Sequence, residues 1–432
     1  MYNNHYKYVS EIINQGMEKA NLDGVLIYSG HVNNYFLDDM PYAFACNPHF
    51  KWMVPITEIP HCIIHYKSDQ KSKLYLYQPK DYWHSQAKTP EGDWTENFDI
   101  ISITCKEDVP DFSDLKNHAW IGQADSYEFD NLQHNPRTYM DYVHWHRAVK
   151  TDYEIENIRQ ANVLALKGHK AAYQCFKKGY SEFECHMAYM LAIKHNEHQL
   201  PYGNIVAQNK NGAVLHYQHM QRFRHKPENL KSFLIDAGCQ VNGYASDITR
   251  TYAYDENSDF ANMVSAVDAM QIEIGKQATV GTSYIDLHVQ AHVSLSQILN
   301  DFDIISCNPQ TAHDSGLSNV FLPHGLGHYL GLQVHDIGGH QSDDDGNILS
   351  PPELHPFLRL TRFLEENNVL TIEPGIYFID MLLEKAKASD FRQYINWNRV
   401  DDFKPYGGIR IEDNIVVKKN NPVNLTRSLS QN

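Results

Sequence analysis

The chain has 432 residues, 42% of them hydrophobic and 21% charged, with a formal net charge of −16. That length exceeds one typical domain and predicts two or three. The acidity argues against nucleic acid or an anionic membrane surface as a partner, and no apolar run approaches the ~20 residues of a membrane span.

The N-terminus, MYNNHYKYVSEIINQG, lacks the continuous apolar core of a secretion signal and reads as an amphipathic helix with Tyr6, Val9, Ile12, Ile13 and Met17 on one stripe. Val25–Tyr28 starts a strand, and strand-like pieces follow at Trp52–Pro55, Cys62–Tyr66, Leu74–Tyr77, Ile100–Thr104 and Ala119–Ile121. A helical pattern lies around Tyr127–Gln133. Between Asn33 and Trp52 runs a long aromatic loop with adjacent acids at Asp38 and Asp39, of a length that is often functional. Residues 1–150 therefore read as a small α/β domain, with a boundary near Lys150. Thr151 and Glu154 form a capping box opening a long helix towards Phe176, which Gly179 ends; Ser181 and Glu184 cap a second through Ile193. Strands are expected at Asn204–Gln208 and Gly212–His216, and helices at Ser258–Ala278 and Tyr284–Leu299. Seven cysteines, an odd number without paired spacing, fit reduced thiols in a cytoplasmic protein.

The chemistry centres on Ser232–Tyr254, SFLIDAGCQVNGYASDITRTYAY, two apolar strands joined across Asn242-Gly243. With those as the loop residues, Asp236 faces Thr249, and Asp247 shares its face two residues away. Two acids on one patch of an apolar hairpin call for a cation between them. Phe321–His335 adds His324, His328 and His335; Gly325 stands where a zinc-protease helix needs Glu, and three glycines disfavour a regular helix. Glu373 ends the apolar strand VLTIEPGIYF, with Pro374-Gly375 expected to turn the chain. In GGIRIEDNIV, Arg410 and Glu412 point to one face of a strand, an arrangement that a plain surface ion pair would also produce. Asp236, Asp247, His328, Glu373 and Glu412 together offer four carboxylates and one imidazole, a charge that two divalent ions would neutralise. The oxygen-rich set suits Mn²⁺, with Co²⁺ or Zn²⁺ as substitutes, and such a pair activates water for hydrolysis of an amide or ester.

DAG and DITRT, then PHGLGH, IEPG and GIRIED, resemble the metal-binding pattern of the creatinase/aminopeptidase ("pita-bread") family. NNYFLDDM…NPHFKW, PYGNIVAQN…VLHY and PPELHPFLR narrow the resemblance to bacterial Xaa-Pro dipeptidases (prolidases), a group that includes the organophosphorus acid anhydrolases. The resemblance implies an α+β architecture: the small N-terminal α/β domain (1–150), for dimer contact and pocket closure, then a pita-bread catalytic domain (151–432). It implies two Mn²⁺ per subunit, with Asp247 and Glu412 bridging, Asp236 completing one site, and His328 and Glu373 the other. A metal-bridging hydroxide would attack Xaa-Pro dipeptides, Glu373 shuttling protons, and the activity would extend to organophosphorus esters and fluoridates. His324 and His335 match substrate-contacting histidines and Arg410 the residue that holds the prolyl carboxylate. Tyr202, Leu215, His216, Tyr284, Val334 and Leu358 fall where that family lines its pockets, and Asp39 where a neighbouring subunit reaches in, which implies a homodimer. Two alternatives stay open at this level: an aminopeptidase P acting on longer peptides, and a metal-free relative that only binds a ligand.

Overall fold

A computed structural model describes residues 1–83, 85–123, 129 and 131–428. The N-terminal region is a six-stranded sheet with helices against it. It comprises α1 (Tyr2–Lys19), β1 (Gly24–Tyr28), α2 (Pro48–Met53), β2 (Ile63–Tyr66), β3 (Ser72–Tyr77), β4 (Phe98–Ile103), β5 (His118–Ile121), β6 (Gln133–His134) and α3 (Arg137–Arg147). The strand order is β4-β3-β2-β1-β5-β6, mixed parallel and antiparallel. Val9, Ile12, Ile13 and Met17 of α1 are buried against this sheet, as the 3.6-residue stripe requires. Trp52 and Met53, expected in a strand, instead close α2. Asn47 accepts a hydrogen bond from the His49 N–H and Pro48 opens the helix, so local capping overrides the apolar pattern. Of the helical pattern at Tyr127–Gln133, Tyr127, Glu128 and Asp130 lie outside the described residues. The described ones are not helical, Asn131 and Leu132 forming a turn and Gln133 a strand.

Both capping boxes form: α4 (Asp152–Lys177) opens on Thr151 and Glu154, α5 (Glu182–Ile193) on Ser181 and Glu184. The helices pack on β7 (Ile205–Gln208) and β8 (Ser232–Asp236) through Phe176, Tyr189, Val206 and Phe233. The strand expected at Gly212–His216 is absent: Asn209 takes φ 56° and starts a short helical turn through Ala213. Its side chain binds the Lys231 N–H and the Asn229 carbonyl, so the chain leaves the sheet edge there. The hairpin then runs through β9 (Gln240–Val241), β10 (Tyr244–Ala245) and β11 (Thr249–Ala253). Asn242 and Gly243, at φ 50° and 83°, make the tight turn, and Asp236 faces Thr249 as the loop dictates.

Helices α6 (Asp259–Gln277), α7 (Tyr284–Asp301) and α8 (Pro309–Asp314) follow. The last segment carries β12 (Val369–Ile372), β13 (Gly375–Tyr377), α9 (Asp380–Lys387), α10 (Trp397–Phe403), β14 (Gly408–Arg410), β15 (Asp413–Val416) and β16 (Val423–Asn424). Pro374-Gly375 does not turn the chain. Ile372 faces Asp413 and Gly375 faces Arg410, one register carried across the gap, so Glu373-Pro374 is a break in a continuing ladder. Proline has no N–H to donate there, which is why the pairing lapses.

Candidate active site

The strands deliver acids in a row. Asp236 faces Thr249, the Glu412 N–H bonds the Thr249 carbonyl at 3.0 Å, and the shared register of β12–β15 and β13–β14 sets Glu373 opposite Glu412. Leu326–Leu330 lies along β12, with Thr371 N–H to His328 O at 2.9 Å and Glu373 N–H to Leu326 O at 2.8 Å. Gly327 permits this approach: a Cβ there would sit 2.3 Å from the Thr371 carbonyl. His328 is thereby brought to the acids on an extended segment, as the glycines imply, rather than on a helix.

All five expected metal ligands converge. The Tyr202 hydroxyl lies 2.8 Å from Asp236 Oδ1 and 2.5 Å from Asp247 Oδ1. His328 Nε2 stands 3.5 Å from Asp247 Oδ2 and 3.7 Å from Glu373 Oε1. His328 Nδ1 carries a proton, which it donates to the Tyr329 carbonyl at 2.8 Å. Burial opposes charge on the ring, but Asp247 and Glu373 raise it above the usual imidazole range. Nε2 therefore holds a proton against the acids and offers a lone pair only when a cation displaces that proton. Thr249 Oγ1 donates to Glu412 Oε2 at 2.7 Å. Donor atoms of Asp247, His328 and Glu412 all lie within 4.8 Å of one another. This donor set fits hard divalent ions.

Electrostatics agree with that fit. Burial, then Asp247 and the other acids, pushes Glu412 well above the usual carboxylate range. Burial raises Asp236 too, with Arg410 partly offsetting it, and burial lifts Glu373 to about 7. Burial also opposes charge on Asp247, but the His328 imidazole more than compensates and Asp247 ends below its ordinary value. Buried acids that resist joint ionisation are the environment a cation relieves.

The other expected residues surround this cluster. Arg410 donates from Nη2 to Asp236 at 2.8 Å, from Nε to Thr249 Oγ1 at 3.2 Å and from Nη1 to the Tyr377 hydroxyl at 2.9 Å. His324 donates from Nδ1 to the Gly325 carbonyl and accepts at Nε2 from Tyr377, both at 2.8 Å. His335 is exposed, its ring edge-on to His328 at 4.5 Å. Burial holds His324 down at about 4. The His335 ring has an exposed edge, but its desolvated face against His328 and the charges of His328 and Arg359 bring it to about 4 as well, so both are neutral imidazoles at pH 7. His216 is exposed and acts electrostatically on both, while Leu215 packs on the catalytic core. Tyr284 is wholly buried, its hydroxyl bonded to the Thr371 carbonyl, and Leu358 is buried against Gly325, so both sit behind the His324–His328 segment. Asp39 and Val334 line a cleft of about 1620 Å³ between the N-terminal sheet and the hairpin side of the catalytic region.

Sequence reasoning missed Tyr377, which links Arg410 to His324. Its signal was alternation: Gly375 and Tyr377 share a strand face two residues beyond Glu373. Thr249 and Asn414 were also missed; Asn414 accepts from the Asp247 N–H at 3.1 Å and so fixes the backbone of that acid.

A buried Asp/Asp/His/Glu/Glu cluster on a two-part α+β scaffold defines a metallohydrolase-type centre. Residues 156–419 match metallopeptidase family M24, and residues 1–145 match the N-terminal domain of Xaa-Pro dipeptidases. The Xaa-Pro dipeptidase of Pseudoalteromonas translucida is 46% identical over 96% of this chain and 94% of its own length. That of Shewanella woodyi is also 46% identical, over 99% of both chains. Aminopeptidase P of Escherichia coli, solved with the inhibitor Pro-Leu, superposes with TM-score 0.73 at 22% identity over 99% of this chain and 95% of its own, which gives the pita-bread fold. This chain belongs to metallopeptidase family M24, in the bacterial Xaa-Pro dipeptidase (prolidase) group.

Proposed function

We propose that this enzyme hydrolyses Xaa-Pro dipeptides with two divalent ions, Mn²⁺ with Co²⁺ or Zn²⁺ as substitutes, held by Asp236, Asp247, His328, Glu373 and Glu412. The observation that carries this reading is the convergence of those five donors, with His328 Nε2 facing Asp247 and Glu373. When bound, the ions would supply a water activated at neutral pH and polarise the scissile carbonyl.

The protein's own groups do the rest. Glu373, raised to about 7, is matched to accepting a proton from water and passing it to the proline nitrogen as it leaves. The Xaa-Pro bond is a tertiary amide without an N–H, so the substrate cannot be held by strand pairing and must be held at its ends. Arg410 spends some donors on Asp236, Thr249 and Tyr377 and keeps its remaining N–H groups for the prolyl carboxylate. His335 and His324 orient the carbonyl, and Tyr202, Leu215, His216, Val334, Tyr284 and Leu358 shape or back the pocket.

Asp39 of a second subunit answers the free amine in this reading. The exposed Phe36, Leu37 and Met40 beside it supply an apolar surface suited to a homodimer; a monomer in sedimentation equilibrium would contradict that assembly. Seven free cysteines support a cytoplasmic location, which cell fractionation checks. The same chemistry would extend to P–F and P–O bonds of organophosphorus esters.

One assay tests the substrate reading: Leu-Pro, a Pro-containing tripeptide and a phosphofluoridate, each with and without Mn²⁺. Leu-Pro should be cleaved at least tenfold more efficiently than the tripeptide, and only with metal. Preference for the tripeptide would favour an aminopeptidase P activity instead.

A further inference from the structure

Behind His324 lies a second cluster that the carboxylate centre does not use. His288 and His292 stand four residues apart on α7, hence on one face of the helix, and both are buried. His355 reaches them from the Pro351–Leu358 loop, with ring centroids 4.3 Å from His288 and 4.5 Å from His292. One ring nitrogen from each of the three lies within 4.8 Å of the others. His313, on α8, adds its Nε2 at 3.1 Å from His355 Nε2.

Hydrogen bonding accounts for only part of this packing. The His313–His355 contact has the length of an N–H···N bond, and His313 Nδ1 is paired with Asp314 at 2.8 Å. Both ring nitrogens of His288 and Nε2 of His292, however, are buried with no hydrogen-bond partner among the described residues. A buried polar atom is rarely left without a partner, and three in one cluster point to a missing ligand. The neutral state of the rings favours a cation over an anion as that ligand. Burial and the mutual repulsion of the rings hold His288 and His292 well below the usual imidazole range and His355 at about 4. Neutral rings retain lone pairs, which bind cations.

We propose that His288, His292 and His355 form a separate transition-metal site, selective for Zn²⁺ or a similar borderline ion over Mn²⁺. An all-imidazole donor set favours such ions, whereas the carboxylate cluster favours hard ones. His292 already has the outer partner a zinc-binding histidine needs, because its Nδ1 meets Ser318 Oγ at 2.8 Å and leaves Nε2 towards the cluster. His313 Nε2, 3.1 Å from His355 Nε2, stands outside the group of three as a hydrogen-bond partner of His355. A bound ion would tie α7 to the loop that carries Leu358, the residue packed against Gly325 beside His324.

The test uses full-length protein carrying Asp247→Asn and Glu412→Gln, which disables the carboxylate centre. After chelation, loading with Zn²⁺ and desalting, zinc is counted and its X-ray absorption spectrum recorded. One ion per chain is expected, with at least three imidazole nitrogens at about 2.0 Å. Adding His292→Phe or His355→Gln should weaken retention at least tenfold. Full retention in both histidine variants would overturn the proposal. So would no retained zinc in the parent, or an oxygen-dominated shell, a readout that needs no histidine variant to fold.

Discussion

At the scale of single residues, Tyr377 links Arg410, proposed to hold the prolyl carboxylate, to His324, proposed to orient the scissile carbonyl. Its hydroxyl accepts from Arg410 Nη1 and donates to His324 Nε2, so one atom fixes the posture of both. Tyr377→Phe keeps the ring and removes that link. A loss of about 10- to 100-fold in kcat/KM for Leu-Pro is expected, with metal content unchanged. Full activity, or loss of metal, would show that the hydroxyl does not work through these two side chains.

At the scale of elements, the site depends on how closely Leu326–Leu330 approaches β12. Gly327→Ala would place a methyl 2.3 Å from the Thr371 carbonyl and 2.5 Å from the Tyr284 hydroxyl, and the segment must back away. Destabilisation of about 1–3 kcal/mol is expected, together with weakened metal retention because His328 moves with it. Equal metal retention would mean that His328 is positioned by other contacts.

The same elements show what was legible in the sequence. Asn242-Gly243 fixed the register that puts Asp236 opposite Thr249, and Thr151–Glu154 and Ser181–Glu184 marked two helix starts, because each is a local rule. The five candidate ligands were legible as acids and a histidine set into apolar, glycine-bearing segments, and the role proposed for each came from the family resemblance. The pairing of Glu373 with Glu412 was not, since it depends on a register carried past Pro374 between strands far apart in sequence. Trp52 read as strand because its apolar neighbours hid the Asn47-Pro48 start of α2, and Gly212–His216 because the strand-ending conformation of Asn209 leaves no periodic trace.

At the scale of the whole molecule, the two regions are joined electrostatically as well as through their apolar core. Asp336, completely buried beside the active-site loop, meets Arg147 at the end of α3 at 2.6 Å and Lys150 at 3.0 Å. Burial opposes its charge, but Lys150 and Arg147 prevail and hold it at about 2. A depressed folded-state value gives stability that is full above the unfolded value near 4 and is lost as pH falls towards about 2. Urea unfolding should therefore show about 1 kcal/mol more loss between pH 5 and pH 3 in the unmodified protein than in Asp336→Asn. The variant starts lower, by about 3–5 kcal/mol, because Arg147 and Lys150 lose their buried counter-charge. Identical pH slopes would remove Asp336 from the coupling.

Everything proposed for catalysis rests on a carboxylate–imidazole centre that holds two ions and works only when both are present. The decisive measurement is Leu-Pro turnover during stepwise addition of Mn²⁺ to chelator-treated enzyme, with bound manganese counted at each step. Turnover should be absent without metal, reach its plateau at about two ions per chain, and fail to appear in a folded Asp247→Asn variant. Turnover in metal-free enzyme, or a plateau reached at one ion, or undiminished activity in Asp247→Asn, would contradict the dinuclear centre.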